Sequence, residues 1–127
     1  VAGLVGAHPD RAWATRAIDA PDQRQIVISV ARGDGRVSPL VALIDIEDMG
    51  GALKDGFFLP DMVHERLPRE LLEPMRELGL VCEPVPLGEA IADVAGGLEI
   101  SRSLGWHLPS LAHQPVLERI MRYLISR

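Results

Sequence analysis

The clearest pattern in the sequence is a pair of apolar runs separated by a short turn. The runs cover residues 25–31 and 37–46, and both are rich in Val, Ile and Leu. The turn between them contains Asp34-Gly35, and an Asp-Gly step between apolar runs is a strong hairpin signal. The second run is apolar without strict alternation, which is typical of a strand covered on both faces. The sequence therefore predicts an antiparallel hairpin over about residues 25–46.

Apolar residues at helical spacing predict three to four helices beside this hairpin. A short helix is expected over residues 7–20, because its Ala and Trp residues recur on one helical face. A proline-punctuated helical segment follows at residues 60–78, and a longer helix runs from Leu87 to Leu104. A last helix begins near Pro115, since proline suits the first turn of a helix.

Two shorter apolar runs, residues 57–59 and 80–82, are candidate strands. The preceding segment, residues 47–56, is predicted as a loop because it holds Gly-Gly and Asp-Gly pairs. Together these elements predict an α+β fold. A small antiparallel sheet, made of the hairpin plus one or two short strands, packs with three to four helices.

Length and composition point to a single globular domain over residues 1–127. The chain is 47% hydrophobic and 24% charged, which is typical of folded proteins. It begins at Val1 rather than Met, so we expect a domain taken from a longer chain. Cys82 is the single cysteine, which excludes an internal disulfide and a cysteine-based zinc site.

The charge balance of the chain narrows the classes of partner that it could bind. The chain has 13 basic and 18 acidic residues, a net charge of -5, and no block of like charges. This balance argues against binding of a nucleic-acid phosphate backbone. No apolar run approaches the roughly 18–20 residues that a membrane span requires. We therefore expect a cytoplasmic protein without nucleic-acid or membrane partners.

One dense acidic group follows the predicted hairpin: Asp45, Glu47 and Asp48, with Asp55 beyond the glycines. Carboxylates at a strand end beside a flexible loop supply the oxygen ligands that Mg²⁺ or Mn²⁺ prefers. Lys54 would then neutralise a phosphate. The same residues are more simply explained as charged side chains that keep an exposed loop in water, and the metal site is kept as the alternative interpretation.

The other nucleophilic and basic residues show no catalytic spacing. His107 and His113 flank a proline between two predicted helices, where the sequence leaves a metal, base or surface role open. The serines include no Gly-x-Ser-x-Gly elbow and no Ser-x-x-Lys pair. Cys82 lies in an apolar run, where we expect a buried and unreactive thiol.

Several short motifs occur in a fixed order along the middle of the chain: Ile44-Asp45, Gly50, Lys54-Asp55, Gly96-Gly97, and Leu-Gly-Trp-His-Leu-Pro at residues 104–109. In this order the chain resembles an uncharacterised group of bacterial domains. The resemblance covers about half the chain. It implies a fold grouping, and it brings no activity.

The last predicted helix carries an apolar stripe of Leu117, Ile120, Met121 and Leu124. Such a stripe is typical of a core, of a dimer contact or of a helix that docks in a groove. The sequence therefore favours a non-catalytic protein-interaction or self-association module that needs no cofactor. The alternative is a hydrolase or phosphoryl-transfer domain that uses Mg²⁺ or Mn²⁺ at the acidic group.

The adjacent glycines Gly96 and Gly97 lie inside the predicted helix 87–104. Glycine in a helix interior is unfavourable by about 1 kcal/mol relative to alanine. We therefore expect a compensating close approach to another backbone, with the strand over residues 40–44 as the partner.

Overall fold

The computed structural model describes residues 8–17, 20–31, 34–45 and 51–105. These residues form one sheet with helical segments on both of its faces. The strands are β1 (His8–Ala17), β2 (Ala20–Ala31), β3 (Arg36–Asp45), β4 (Ala52–Phe58), β5 (Met62–Val63) and β6 (Leu80–Pro84). The helical segments are a 3₁₀ turn (His64–Arg66), a π turn (Pro68–Leu72), α1 (Glu73–Glu77) and α2 (Leu87–Ser103).

The sheet is antiparallel, with the strand order β4-β3-β2-β1-β6 and β5 paired to the start of β3. Strands β1 to β4 form a meander. The chain then passes from the β4 edge to the β6 edge through residues 64–77, which we call the crossover segment. Helix α2 covers the other side of the sheet. The two sides are named the helix face and the crossover face.

The predicted hairpin is confirmed as the pairing of β2 with β3, in which Val27 lies opposite Val41. The candidate strand at residues 80–82 is part of β6, and the long helix is α2. Each of the three elements has a local sequence signal, which is a β-branched run, a turn or a helical apolar stripe. In each, the local signal and the tertiary contacts favour the same structure.

The expected helix at residues 7–20 is wrong, because His8–Ala17 forms β1 and pairs with both β2 and β6. In a strand, successive side chains alternate between faces. Ala12 therefore packs on the helix face and Trp13 on the crossover face, and both are buried. Pairing on both edges and burial on both faces outweigh the weak helical preference of an alanine-containing segment.

The predicted loop at residues 47–56 is wrong in its second half, where β4 begins at Ala52. The register of β4 against β3 shifts between Leu43 and Ile44, which leaves Lys54 as an extra residue. A bulge of this kind breaks the alternation by which a strand is identified in sequence. Residues 46–50 lie outside the described residues.

The structure is compatible with the α+β class, but the described residues form a six-stranded sheet rather than a hairpin with one or two additions, and they contain two α-helices rather than three to four. The segment predicted at residues 60–78 folds as β5 and the crossover segment, with Pro68 and Pro74 each in the first turn of a helical piece. The helix expected near Pro115 lies outside the described residues. Within the described part of the chain, no helix is long and apolar enough to cross a membrane.

Two apolar clusters lie on opposite sides of the sheet. The cluster on the helix face joins α2 to the sheet, and its largest fully buried members are Ile26, Leu40 and Leu53. The cluster on the crossover face joins the crossover segment to the sheet and includes Trp13, Val27, Val41, Leu67 and Leu72. The sheet is thus covered on both sides.

Candidate functional site

Two of the four predicted metal ligands lie within the described residues, on neighbouring strands. Asp55 pairs with Leu43, and Asp45 is two residues beyond Leu43 on β3. By strand alternation both carboxylates belong to the crossover face. Asp45 is only 5% exposed, and both aspartates take part in interactions of their own.

The remaining members of the acidic group, Glu47 and Asp48, lie outside the described residues. Within the part that is described, no three His, Cys, Asp or Glu side chains form a group that could hold a metal ion. The geometry therefore places two carboxylates on one face, and the four-residue metal site stays a prediction. The interaction stripe of Leu117, Ile120, Met121 and Leu124 lies outside the described residues too, as do His107 and His113.

A polar network that sequence reasoning missed lies at the other end of the crossover face. Asp10 is the extra residue where the β1–β2 register shifts between Pro9 and Arg11. Ser29 Oγ donates to Asp10 Oδ1 at 2.5 Å, and His64 Nε2 lies 3.0 Å from Asp10 Oδ2. Both carboxylate oxygens of Asp10 are therefore engaged.

Arg11 extends this network to the crossover segment. Its Nη2 donates to the His64 carbonyl at 2.7 Å, and its guanidinium carbon lies 5.2 Å from the Trp13 ring centroid. This stacked position is favourable for a guanidinium, because the ring face is electron-rich. No described residue accepts a hydrogen bond from the buried Nε atom of Arg11. No sequence signal links Asp10 to His64, because the bulge and the crossover that join them are tertiary features.

The network holds side chains and strands in position, and its residues do not follow the order of a catalytic triad. In a triad the histidine lies between the serine and the carboxylate. Here the carboxylate of Asp10 lies between Ser29 and His64, and Ser29 is fully buried. The arrangement fastens the start of β1 to β2 and to the crossover segment.

A second polar pair, Thr15 and Gln25, lies at the opposite end of the crossover face. Gln25 Nε2 donates to Thr15 Oγ1 at 3.0 Å and lies 3.9 Å from Met75 Sδ. Beside this pair is a hollow of about 210 Å³ that is also bordered by Leu43 and Lys54. The hollow and the two aspartates therefore occupy the same end of the crossover face.

The expected burial of Cys82 is confirmed. Its side chain packs in the crossover-face cluster, and its Sγ lies 3.9 Å from the Leu72 carbonyl. Burial raises the pKa of the Cys82 thiol, and the nearby Arg76 opposes part of that rise. A thiol that keeps its proton is a poor nucleophile.

The two glycines of α2 have different surroundings. A Cβ at Gly97 would lie 3.0 Å from the Gly51 carbonyl oxygen and 3.1 Å from the Leu53 nitrogen. A Cβ at Gly96 would meet nothing within 4 Å. The expected close approach is therefore confirmed for Gly97 alone, and its partner is the start of β4 rather than residues 40–44.

Comparison with known proteins gives no relative from which a role could be transferred. No family model, no curated protein and no solved structure matches the chain.

Proposed function

We propose that this chain is a protein-interaction domain whose docking element is the outer edge of β4, and that its partner is a second copy of the same chain. The observation in support is a difference between the two edges of the sheet. The backbone groups of an open edge strand form a template on which another strand can pair.

The edge formed by β6 is protected. Val85 N donates to the Ala12 carbonyl, so the alternate residues Leu80, Cys82 and Pro84 direct their backbone groups away from β1. Pro84 has no N–H, and the outward carbonyl of Cys82 accepts a hydrogen bond from Arg76 at 3.3 Å. This edge offers little to an incoming strand.

Among the described residues, the edge formed by β4 carries such protection at its start, where Ser101 Oγ donates to the Leu53 carbonyl, and none from Gly56 to Phe58. Leu59 N donates to the Pro39 carbonyl, so Gly56 and Phe58 direct their backbone groups away from β3. The strand contains no proline, and its Lys54-Asp55 pair is self-complementary in charge. When two copies pair antiparallel about this dipeptide, Lys54 of one copy lies opposite Asp55 of the other, which is a favourable cross-strand pair.

The test is the oligomeric state of matched proline variants. Phe58→Pro removes an outward N–H from the β4 edge, and Leu80→Pro makes the same change at the β6 edge. Both positions are partly buried and apolar, so the two variants lose similar packing. Light scattering behind a sizing column at micromolar to millimolar concentration should show association in the wild type and in Leu80→Pro, and a monomer in Phe58→Pro.

Amide hydrogen exchange provides a second measurement that needs no variant. Exchange at Gly56 and Phe58 should slow as the protein concentration rises, whereas exchange at Leu80 should stay constant. A wild-type chain that stays monomeric, with concentration-independent exchange at Gly56, would overturn self-association.

The second candidate is a divalent-metal site for hydrolysis or phosphoryl transfer, favoured by the shared face of Asp45 and Asp55. Carboxylate ligands on one face are what a Mg²⁺ or Mn²⁺ site requires. Calorimetric titration with Mn²⁺ tests it: Asp45→Asn and Asp55→Asn should each weaken binding, whereas Asp93→Asn on α2 should leave it unchanged. Absence of Mn²⁺ binding in the wild type would exclude this candidate.

A further inference from the structure

The hollow of about 210 Å³ at the open end of the crossover face has a polar centre between two apolar sides. Gln25 pairs with Leu43 on one side and with Thr15 on the other, so these three residues form a row across β3, β2 and β1. Leu80 of β6 borders the hollow beyond Thr15. Leu43 and Leu80 both pack against the apolar cluster of the crossover face.

The charged residues around the hollow do not supply charge to this centre. By strand alternation the side chains of Arg16 and Arg24 lie on the helix face, where Arg24 pairs with Asp93 of α2. Lys54 belongs to the β4 edge, where our proposed dimer pairs it with Asp55 of the second copy. No carboxylate lines the hollow. The polar groups that a ligand would meet at its centre are therefore uncharged.

The side chains of Thr15 and Gln25 each have one hydrogen-bonding group to spare. Gln25 Nε2 donates to Thr15 Oγ1 at 3.0 Å, and it lies 3.9 Å from Met75 Sδ. No residue in the described ranges donates to Gln25 Oε1. A hydroxyl that accepts one bond still has a proton to donate, and no described residue accepts the proton of Thr15. An acceptor and a donor therefore lie side by side in the wall of the hollow.

A primary carboxamide is the group that complements this pair, because it has N–H donors and a carbonyl acceptor in one uncharged unit. Its N–H would donate to Gln25 Oε1, and its carbonyl would accept from the Thr15 hydroxyl. A carboxylate has acceptors only, so it would place an oxygen against Oε1. An ammonium group has donors only, so it would leave the Thr15 proton without an acceptor.

We propose that this hollow binds a small ligand in which a primary carboxamide is attached to a compact apolar group. Thr15 and Gln25 bind the carboxamide, and Leu43 and Leu80 contact the apolar group. The volume is below the range of about 300–1,000 Å³ of drug-sized ligand pockets, so the ligand is about one ring in size. The site uses neither Lys54 nor the β4 edge, so it does not depend on self-association.

The test compares benzamide with benzoate, which share a ring and differ in the group that Thr15 and Gln25 would recognise. Each is titrated at millimolar concentration into the wild-type chain, and binding is followed by the backbone amide shifts in nitrogen–proton NMR spectra. Benzamide should bind, with its largest shifts at Thr15, Gln25 and Leu43. Benzoate should bind at least about tenfold more weakly, because it leaves Oε1 unpaired. No benzamide binding, shifts centred elsewhere, or benzoate binding as tight as that of benzamide would overturn the proposal.

Thr15→Val keeps the shape of the side chain and removes the hydroxyl, so it should weaken benzamide binding about fivefold, as expected for one uncharged hydrogen bond. Ser38→Ala is the matched control, because Ser38 is also a buried strand residue with a hydroxyl but does not line the hollow. It should bind benzamide as the wild type does. Circular dichroism checks that each variant is folded. Equal affinity of a folded Thr15→Val variant and the wild type would contradict the proposal, and the comparison of the two probes tests it without any variant.

Discussion

On the helix face, α2 lies so close to β4 that a Cβ at Gly97 would press on the backbone of residues 51 and 53. On the crossover face, polar side chains connect the sheet to the crossover segment. Asp10, Ser29 and His64 form a network at one end, and Thr15 and Gln25 border a hollow at the other.

This difference shows that one sheet is specified by two kinds of interaction. The helix face depends on complementary shape, so added volume should be the most damaging change there. The crossover face depends on paired polar groups, so loss of one partner should be the most damaging change on that side. The candidate sites described above lie on the crossover face or at the β4 edge.

The largest effect is expected from Gly97→Leu on the helix face. The new side chain collides with the backbone of β4, which cannot move as a flexible side chain can, so the unfolding free energy should fall by about 3 kcal/mol. Gly96→Leu is the matched control, because Gly96 faces open space and gains helix propensity. Urea unfolding followed by circular dichroism measures both. A stable Gly97→Leu variant would disprove close packing.

Loss of a polar partner on the crossover face comes next. Ser29→Ala removes a donor from the partly buried Asp10 carboxylate, and the unfolding free energy should fall by about 2 kcal/mol. Ser38→Ala is the control, because Ser38 also donates to an aspartate, at 2.7 Å, but Asp61 is exposed and water can replace the bond. Equal losses of unfolding free energy in the two variants would mean that burial of the carboxylate has no influence on what its hydrogen bond contributes.

One polar contact on the helix face tests whether shape alone specifies that face. Ser101 Oγ donates to the Leu53 carbonyl at 2.5 Å and so ties α2 to β4. Ser101→Ala should lower the unfolding free energy by about 1 kcal/mol. Ser103→Ala, two residues along the same helix and exposed, should have no measurable effect. A loss at Ser101 larger than that at Ser29 would show that hydrogen bonding specifies both faces.

The smallest effect concerns the pH dependence of stability through Cys82 on the crossover face. Below its ordinary pKa of about 8.5, the thiol holds its proton in both the folded and unfolded states. Above that pH the unfolded chain releases the proton, whereas the folded chain, whose thiol pKa is raised by burial, retains it. The unfolding free energy should therefore fall as the pH rises through this window.

The measurement is urea unfolding of the wild type and of Cys82→Ala between pH 7 and pH 10. The difference between the two pH profiles isolates the thiol from the other titrating groups. Iodoacetamide at pH 8 should label the unfolded chain faster than the folded one. Parallel profiles together with rapid labelling of the folded chain would contradict the burial of Cys82.

The elements that could be predicted from sequence have local signals that agree with their surroundings. The hairpin of β2 and β3 has β-branched runs and an Asp-Gly turn, and α2 has an apolar stripe. In residues 8–17 the local signal does not favour one structure, because the alanines among them suit a helix while their environment requires a strand. Their state is decided by β2 and β6, which pair with them on both sides.

The candidate sites were less predictable than the fold. Asp45 and Asp55 are predictable as a pair because both lie close in sequence to a strand end. The network of Asp10, Ser29 and His64 could not be found, because it depends on a bulge and on the path of the crossover segment. Neither feature has a periodic signature in the sequence. The partner of Gly97 is hard to predict for a related reason, since the glycine pairs within residues 47–56 indicate a loop where the first part of β4 forms.

The position of β6 has a consequence for how the chain folds. Strands β1 to β4 pair with their neighbours in sequence, whereas β6 pairs with β1 after the chain has passed the whole meander. Closing so long a loop loses more chain entropy than closing a hairpin. The β1–β6 ladder should therefore form after the meander, and substitutions in β6 should change the unfolding rate more than the folding rate.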